Sequence, residues 1–243
     1  MKERLQKVLS NHGFGSRRRC EILIREGRVS INNKIAELGA KADPFVDQIK
    51  VDNRLLQPIN KKDIYLILYK PRDVLSDIVR KDKRPIVRDY IPLKDHLFIV
   101  GRLDKDSEGL ILLTNDGEAA NILTHPRYEH EKEYLVLLHK IPDEKQIAAW
   151  RHGVVLKNKQ RMLPADVEIV NQVKDGCWIN LVMREGKKRE IREIGSTIGL
   201  HVKRIIRKRI ADIQLGELKP GEWRYLNKSE IQSIKSKLTL ASK

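Results

Sequence analysis

The chain has 243 residues, enough for one large domain or two smaller ones with a real hydrophobic core. Its 49 Lys plus Arg against 33 Asp plus Glu leave a formal net charge of +16, which favours a polyanionic partner through counterion release and long-range steering. Only Cys20 and Cys177 are present, far apart, which argues against a disulfide scaffold or zinc site and fits a reducing compartment. The N-terminal stretch is too charged for a signal peptide and no apolar run approaches the roughly 18 residues of a bilayer span, so a soluble, cytoplasmic protein is expected. Residues 1–60 hold 12 basic and 7 acidic side chains, so the excess is not one basic tail but is spread over the folded body.

Leu5, Val8, Leu9 and His12 follow helical spacing and predict a short amphipathic helix over residues 3–12, broken by Gly13 and Gly15. Ser16 is placed to cap a second helix, with Cys20, Leu23 and Ile24 on its buried stripe and Gly27 closing it. Short β segments follow, Val29 and Ile31 before an Asn32-Asn33 turn, and Ile49 and Val51 before Asp52-Asn53. Pro58 to Asp63 is polar and aperiodic, the best linker candidate. Beyond it, residues 65–69, 97–100, 110–114, 134–138 and 177–183 are strand-like. Residues 143–152 predict a helix, opened by Asp143 with Gln146 in capping-box spacing and stopped by Gly153. Residues 189–198 form another, with Ile191, Ile194 and Ile198 on one face, and a last helix is expected to start at Ser229, with Gln232 three residues on. The strands are too irregularly spaced for repeated βαβ units, which points to a mixed α+β sheet.

The second helix opens with Arg17, Arg18 and Arg19, where cations oppose the helix dipole by roughly 0.3–1 kcal/mol each. Paired with a phosphate, the same arginines and the free N–H groups of the first turn make an anion site. The stretch RLQKVLSNHGFGSRRRCEILIREGRVSINNKIAELGAKA resembles an S4 domain, a small RNA-binding module. That resemblance implies RNA-backbone contacts from Arg4, Lys7, Arg17, Arg18 and Arg28. Phosphate contacts position a protein without reading sequence, so this module does not name the target.

In HLFIVGRLDKDSEGLILLTNDG an apolar strand runs into Gly101-Arg102-Leu103-Asp104, then a polar loop, then a second apolar strand ending at a turn built from Asn115, Asp116 and Gly117. A carboxylate just beyond a rigid strand is where a scaffold can hold a reactive group. Taken alone, such an Asp is usually a turn residue. The GRLD-x-D-S-x-GL-x-LLTNDG pattern, however, resembles the signature of the RsuA/RluB family of ribosomal RNA pseudouridine synthases. Within that family the first Asp, here Asp104, is the nucleophile. HEKEYLV resembles a second family block, which makes Tyr134 the ring that stacks on the target base, and REGKKREIREIGSTIGLHVKRIIRKRI resembles a third, in which Arg192 matches the arginine that pairs with the catalytic carboxylate. Glu193 departs from the pattern, standing where many relatives carry a basic residue.

Taken together, the resemblance implies isomerisation of uridine to pseudouridine in ribosomal RNA, with large-subunit RNA or its assembly intermediate as partner. The bond from N1 to the sugar is cut, the base turned and rejoined through C5, with no atoms gained. Attack by Asp104 on the sugar, on the base, or assistance to elimination all remain open at this stage. A target leaving its stack would be flanked by Arg102, which could fill the gap, and by Lys187, Lys188 and Arg189 in the basic turn. Lys203, Arg204, Arg207, Lys208 and Arg209 add further cations. No P-loop, dinucleotide fingerprint or metal-ligand spacing is visible, so no cofactor, metal or membrane is expected, and the enzyme should act as a monomer. The fold expected is α+β: a small S4 domain over 1–60, then a catalytic domain over 61–243 with a mixed, largely antiparallel sheet. A non-catalytic RNA-binding or ribosome-assembly factor would share the charge but has no need of the GRLD block, and an RNA methyltransferase would need a Gly-rich nucleotide site that is not visible.

Overall fold

The computed structural model describes residues 2–57, 62–80, 82–156 and 158–241. The chain divides into two compact units, Met1–Asp63 and Ile64–Lys243. Most of the expected linker, residues 58–61, lies outside the described residues.

In the first unit β1 (Glu3–Arg4) leads into α1 (Leu5–Asn11) and α2 (Arg17–Arg25). Leu5, Val8 and Leu9 of α1 bury against Cys20, Leu23 and Ile24 of α2, the stripe that the helical spacing predicts. The Ser16 hydroxyl accepts from the Arg19 backbone N–H and so caps α2. Strands β2 (Val29–Ile31), β3 (Lys34–Ile35), β4 (Lys41–Ala42), β5 (Ile49–Val51) and β6 (Arg54–Leu55) follow. β3-β2-β5-β6 form one antiparallel sheet, while β1 pairs with β4. Both hairpin turns, Asn32-Asn33 and Asp52-Asn53, adopt positive φ at both residues, as two-residue turns require and as Asn and Asp tolerate.

The second unit is built on one mixed sheet. Its elements are β7 (Tyr65–Lys70), β8 (Phe98–Val100), β9 (Glu108–Thr114), α3 (Gly117–Thr124), β10 (Lys132–Leu138), α4 (Glu144–His152), β11 (Asp166–Val173), β12 (Gly176–Met183), α5 (Glu190–Thr197), β13 (Val202–Ile210), β14 (Ile213–Gln214), β15 (Trp223–Tyr225) and α6 (Lys228–Ala241). The strand order is β11-β12-β10-β13-β9-β7-β15, with β8 on β9 and β14 on β13. Every pairing is antiparallel except β13 with β9, which run parallel at Ile206–Glu108 and Arg207–Gly109. Leu66 and Leu68 of β7 and Ile111 and Leu113 of β9 face a core that includes Trp150 of α4 and Ile191 and Ile194 of α5. The alternate residues Tyr65, Ile67, Leu110 and Leu112 face a second core with Ala119 and Leu123 of α3 and Ile234 of α6. Strands buried on both faces read as unbroken apolar runs, which is why YLILY and LILL lack alternation.

Three local expectations are corrected. The turn expected at Asn115, Asp116 and Gly117 is the start of a helix: Asp116 caps α3, accepting from the N–H groups of Glu118 and Ala119. The last helix opens at Lys228, one residue before Ser229; Asn227 caps the Glu230 N–H, and the Glu230 carboxylate accepts from the Asn227 N–H in return. Two long strands, β11 and β13, escape the apolar-pattern reading, because β13 carries five basic residues within nine positions. Asp143 and Gln146 do form the capping box expected at α4.

At the parallel crossing the two backbones nearly touch. A Cβ at Gly109, whose φ is +103°, would lie 2.4 Å from the Arg207 carbonyl oxygen and 2.6 Å from its nitrogen. Backbone cannot move aside as a flexible side chain can. Gly109→Ala is expected to destabilise the protein by about 2–4 kcal/mol and lower its melting temperature by about 5–15 °C, measured by calorimetry.

Candidate active site

The loop between β8 and β9 carries the GRLD residues, and almost every carbonyl in it is held. Gly101 takes φ +72°, a left-handed conformation that glycine adopts without strain, and turns its carbonyl toward Arg207 of β13. The Arg207 guanidinium donates to the carbonyls of Gly101 at 3.1 Å, Arg102 at 3.3 Å and Leu110 at 2.8 Å. The hydroxyl of Ser76 donates to the Leu103 carbonyl at 2.6 Å and accepts from the Leu103 N–H at 3.0 Å. Lys70, fully buried at the end of β7, donates to the carbonyls of Pro71 and Val74 at 2.8 Å and of Lys105 at 3.3 Å. Burial pulls the Lys70 amine down to about 8, against the pull of Glu108 and the loop carboxylates Asp106 and Asp104.

Asp104 is half-buried and lines a cavity of about 760 Å³. Tyr134 of β10 lines the same cavity, and so do Arg102, Lys187, Lys188 and Arg189. Eight lysine and arginine side chains line it against four carboxyl side chains, which makes it a basic cleft suited to an anionic substrate. Burial raises the pKa of the Tyr134 hydroxyl, opposed by the Arg207 charge beside it, while Glu190 and Asp104 add to the rise. The phenol therefore stays neutral.

Arg192 sits differently from the family expectation. Its Nε lies 3.1 Å from Asp106 Oδ2, and its Nη1 donates to the Val202 carbonyl at 2.8 Å. Arg189 also pairs with Asp106, at 3.3 Å. Burial alone would raise the Asp106 carboxyl, but Arg192 and then Arg189 outweigh it and hold it below the ordinary value. The attraction of Arg192 to Asp104 is weaker than that to Asp106. Arg192 lines a neighbouring cleft with His139 and His201, not the main cavity.

The other basic residues divide into free and engaged. Arg102 and Lys188 are exposed and make no side-chain hydrogen bond or ion pair among the described residues. Lys187 pairs with Glu185 at 2.7 Å. Three cations of β13 turn out to be engaged within the chain, and one of them is buried. Arg204 pairs with buried Glu108, Arg209 with Glu131 and Glu133, and Arg207 is 1% exposed. In the first unit Arg17 and Arg18 project freely from the start of α2. Arg4 donates to the Gly39 carbonyl, Lys7 pairs with Glu3, and Arg28 is forked onto Asp52 at 2.7 and 2.6 Å.

Sequence reasoning missed Ser76, Lys70, Asp106 and the role of Arg207. The available signal was a lysine closing an otherwise apolar strand, at Lys70. It also missed Glu190, which is buried and lines the cavity beside Glu185. Glu190 Oε2 accepts from the Lys187 N–H, and Oε1 is left without a donor if the group is ionised. Burial, with the Glu185 carboxylate beside it, pushes the Glu190 carboxyl up to about 8.

The match to known proteins follows this geometry. The family model for RNA pseudouridylate synthase matches residues 64–196, and that for the S4 domain matches residues 3–44. The chain belongs to the RNA pseudouridine synthase family and carries an S4 RNA-binding domain at its N-terminus. It is 38% identical over 237 residues to an uncharacterized RNA pseudouridine synthase of Aquifex aeolicus, covering 96% of this chain and 94% of that one. It is 36% identical over 238 residues to the ribosomal large subunit pseudouridine synthase B of Bacillus subtilis, covering 96% of each. A crystal structure of a pseudouridylate synthase superposes with a TM-score of 0.68 at 31% identity, covering 95% of this chain and 99% of that one. The protein is therefore an enzyme that isomerises uridine to pseudouridine in RNA.

The Glu185–Glu190 pair gives a pH prediction. In the folded chain Glu190 keeps its proton up to about pH 8, whereas the unfolded chain releases it near 4.5. The folded state thus binds more protons in that window, and this contribution to stability is lost as pH rises through it. Glu190→Gln is neutral at every pH. Thermal melts at pH 5 and pH 8 should show a smaller difference in the variant than in the natural chain.

Proposed function

We propose that Asp104 is the nucleophile, that the target uridine is flipped out of its stack into the cavity, and that the substrate is large-subunit ribosomal RNA. The observation that supports this best is a half-buried carboxylate, on a loop clamped at the carbonyls of Gly101, Arg102, Leu103 and Lys105, in a basic cavity walled by Tyr134. Preorganisation of this kind holds a reacting atom in place without reorganisation during the reaction. Tyr134 offers its ring to the flipped base, a stacking contact worth roughly 1–3 kcal/mol. Arg102, free beside Asp104, fills the place that the base vacates. Arg192 acts on Asp104 at second remove, by neutralising Asp106 and holding the Asp106 carbonyl at 3.3 Å.

Atoms balance within one nucleoside. The bond from C1′ to N1 breaks, a bond from C1′ to C5 forms, the C5 proton leaves and N1 gains one. The name of the Bacillus subtilis relative, shared over 96% of both chains, supports the choice of large-subunit RNA. The S4 domain over residues 1–60 anchors that RNA through Arg17 and Arg18, with Arg4, Lys7 and Arg28 at its margin, and residues 61–243 carry the chemistry. The enzyme acts in the cytoplasm as a monomer.

With ribosomal RNA carrying tritium at uridine C5, the natural chain should release tritium. Asp104→Asn should abolish release while RNA affinity stays within a few-fold; an active variant would remove Asp104 from the nucleophile's role. Replacing Arg17 and Arg18 by Ala should lower the slope of log affinity against log salt by about 1–2. The rate on bound RNA should hold, and an unchanged slope would place the RNA elsewhere.

A further inference from the structure

Arg207 is the side chain that the isomerase reading leaves unexplained. It is 1% exposed, yet among the described residues no carboxylate forms an ion pair with it. A buried guanidinium without a carboxylate is costly, and hydrogen bonds to carbonyls recover only part of the loss. Merely filling space at this point of the sheet would call for an apolar side chain.

Its position is set by the strands. Arg207 lies opposite Tyr134 on one side, across β10 and β13, and opposite Gly109 on the other, across β13 and β9. The register slips between Glu133 and Tyr134, a bulge that re-aims the tyrosine at this row. Gly109 has no side chain, so the guanidinium reaches over it to the Leu110 carbonyl of β9 and onward to the loop of Gly101 and Arg102. One planar fork thus touches β9, the entry of the Asp104 loop and the surroundings of the Tyr134 hydroxyl, and it reaches the wall of the same cavity.

We propose that Arg207 is a positioning residue for the isomerisation: it fixes the distance between the loop that carries Asp104 and the ring of Tyr134, and its unpaired charge supports the anionic reacting groups gathered in the cavity. The proposal rests on the reading of Asp104 and Tyr134 given above. Arginine suits the task because its donors diverge in one rigid plane, whereas a lysine would carry the charge as a compact point donor without that fixed fork.

Arg207→Lys separates the two properties. Under single-turnover conditions, with enzyme in excess over RNA carrying tritium at C5, the variant should react about 100-fold more slowly, the scale expected for a misplacement of about 1 Å. Its RNA affinity should stay within a few-fold and its melting temperature within a few degrees. Tyr134→Phe should cost clearly less in the Arg207→Lys background than in the natural chain, because both changes break one arrangement. A rate that falls only with the folded fraction, or two costs that simply multiply, would overturn the proposal. So would an Arg207→Lys chain that fails to fold even with RNA bound, since the residue would then be structural alone. Activity in Asp104→Asn would instead sink the nucleophile assignment, and the Arg207 cycle would still read out separately.

Discussion

The site depends on buried cations that grip backbone carbonyls rather than carboxylates. Arg207 holds Gly101, Arg102 and Leu110, and Lys70 holds Pro71, Val74 and Lys105. A loop between two strands normally keeps its carbonyls in water and moves accordingly. Here those carbonyls face inward onto charge, and releasing them would leave two cations buried without acceptors. The loop is therefore tied to the strands on either side of it, and Asp104 is held in place with it.

This arrangement uses the mixed sheet. β13 runs parallel to β9 at a single crossing, and there Gly109 lets the two backbones approach until no Cβ would fit. Antiparallel pairing on the other side brings Tyr134 of β10 opposite Arg207. Elements from residues 75 to 207 thereby converge on one cavity. The helices on both faces bury the central strands and keep water from the donors that hold the loop.

Charge follows the same economy. The net charge of +16 suggests many hands for RNA, yet a good part of it is structural. Arg204, Arg207 and Arg209 are occupied within the sheet, Arg28 is tied to Asp52, and Arg189 and Arg192 share Asp106. Arg17 and Arg18 in the first unit and Arg102 and Lys188 at the cavity are among those left exposed without a side-chain partner in the described residues. Glu190 shows the opposite device, a carboxyl kept neutral by burial so that the basic wall carries a proton donor.

Much was legible in the residues themselves. The helical stripe Leu5, Val8 and Leu9, the Ser16 cap, the Asn32-Asn33 and Asp52-Asn53 turns, the Asp143–Gln146 box and the apolar strands expected at 65–69 and 110–114 all follow from local rules, because each depends on neighbours a few positions apart. The GRLD, KEYLV and REIR blocks likewise sufficed to indicate the chemistry. What only tertiary structure decided was which charges are spent inside. Nothing local distinguishes Arg207 from Lys208, nor shows that Arg192 takes Asp106 as its partner, since those pairings join positions about 85 to 105 apart in the chain and follow from strand register and burial. Desolvation belongs to the folded body as a whole, so no window of sequence contains it.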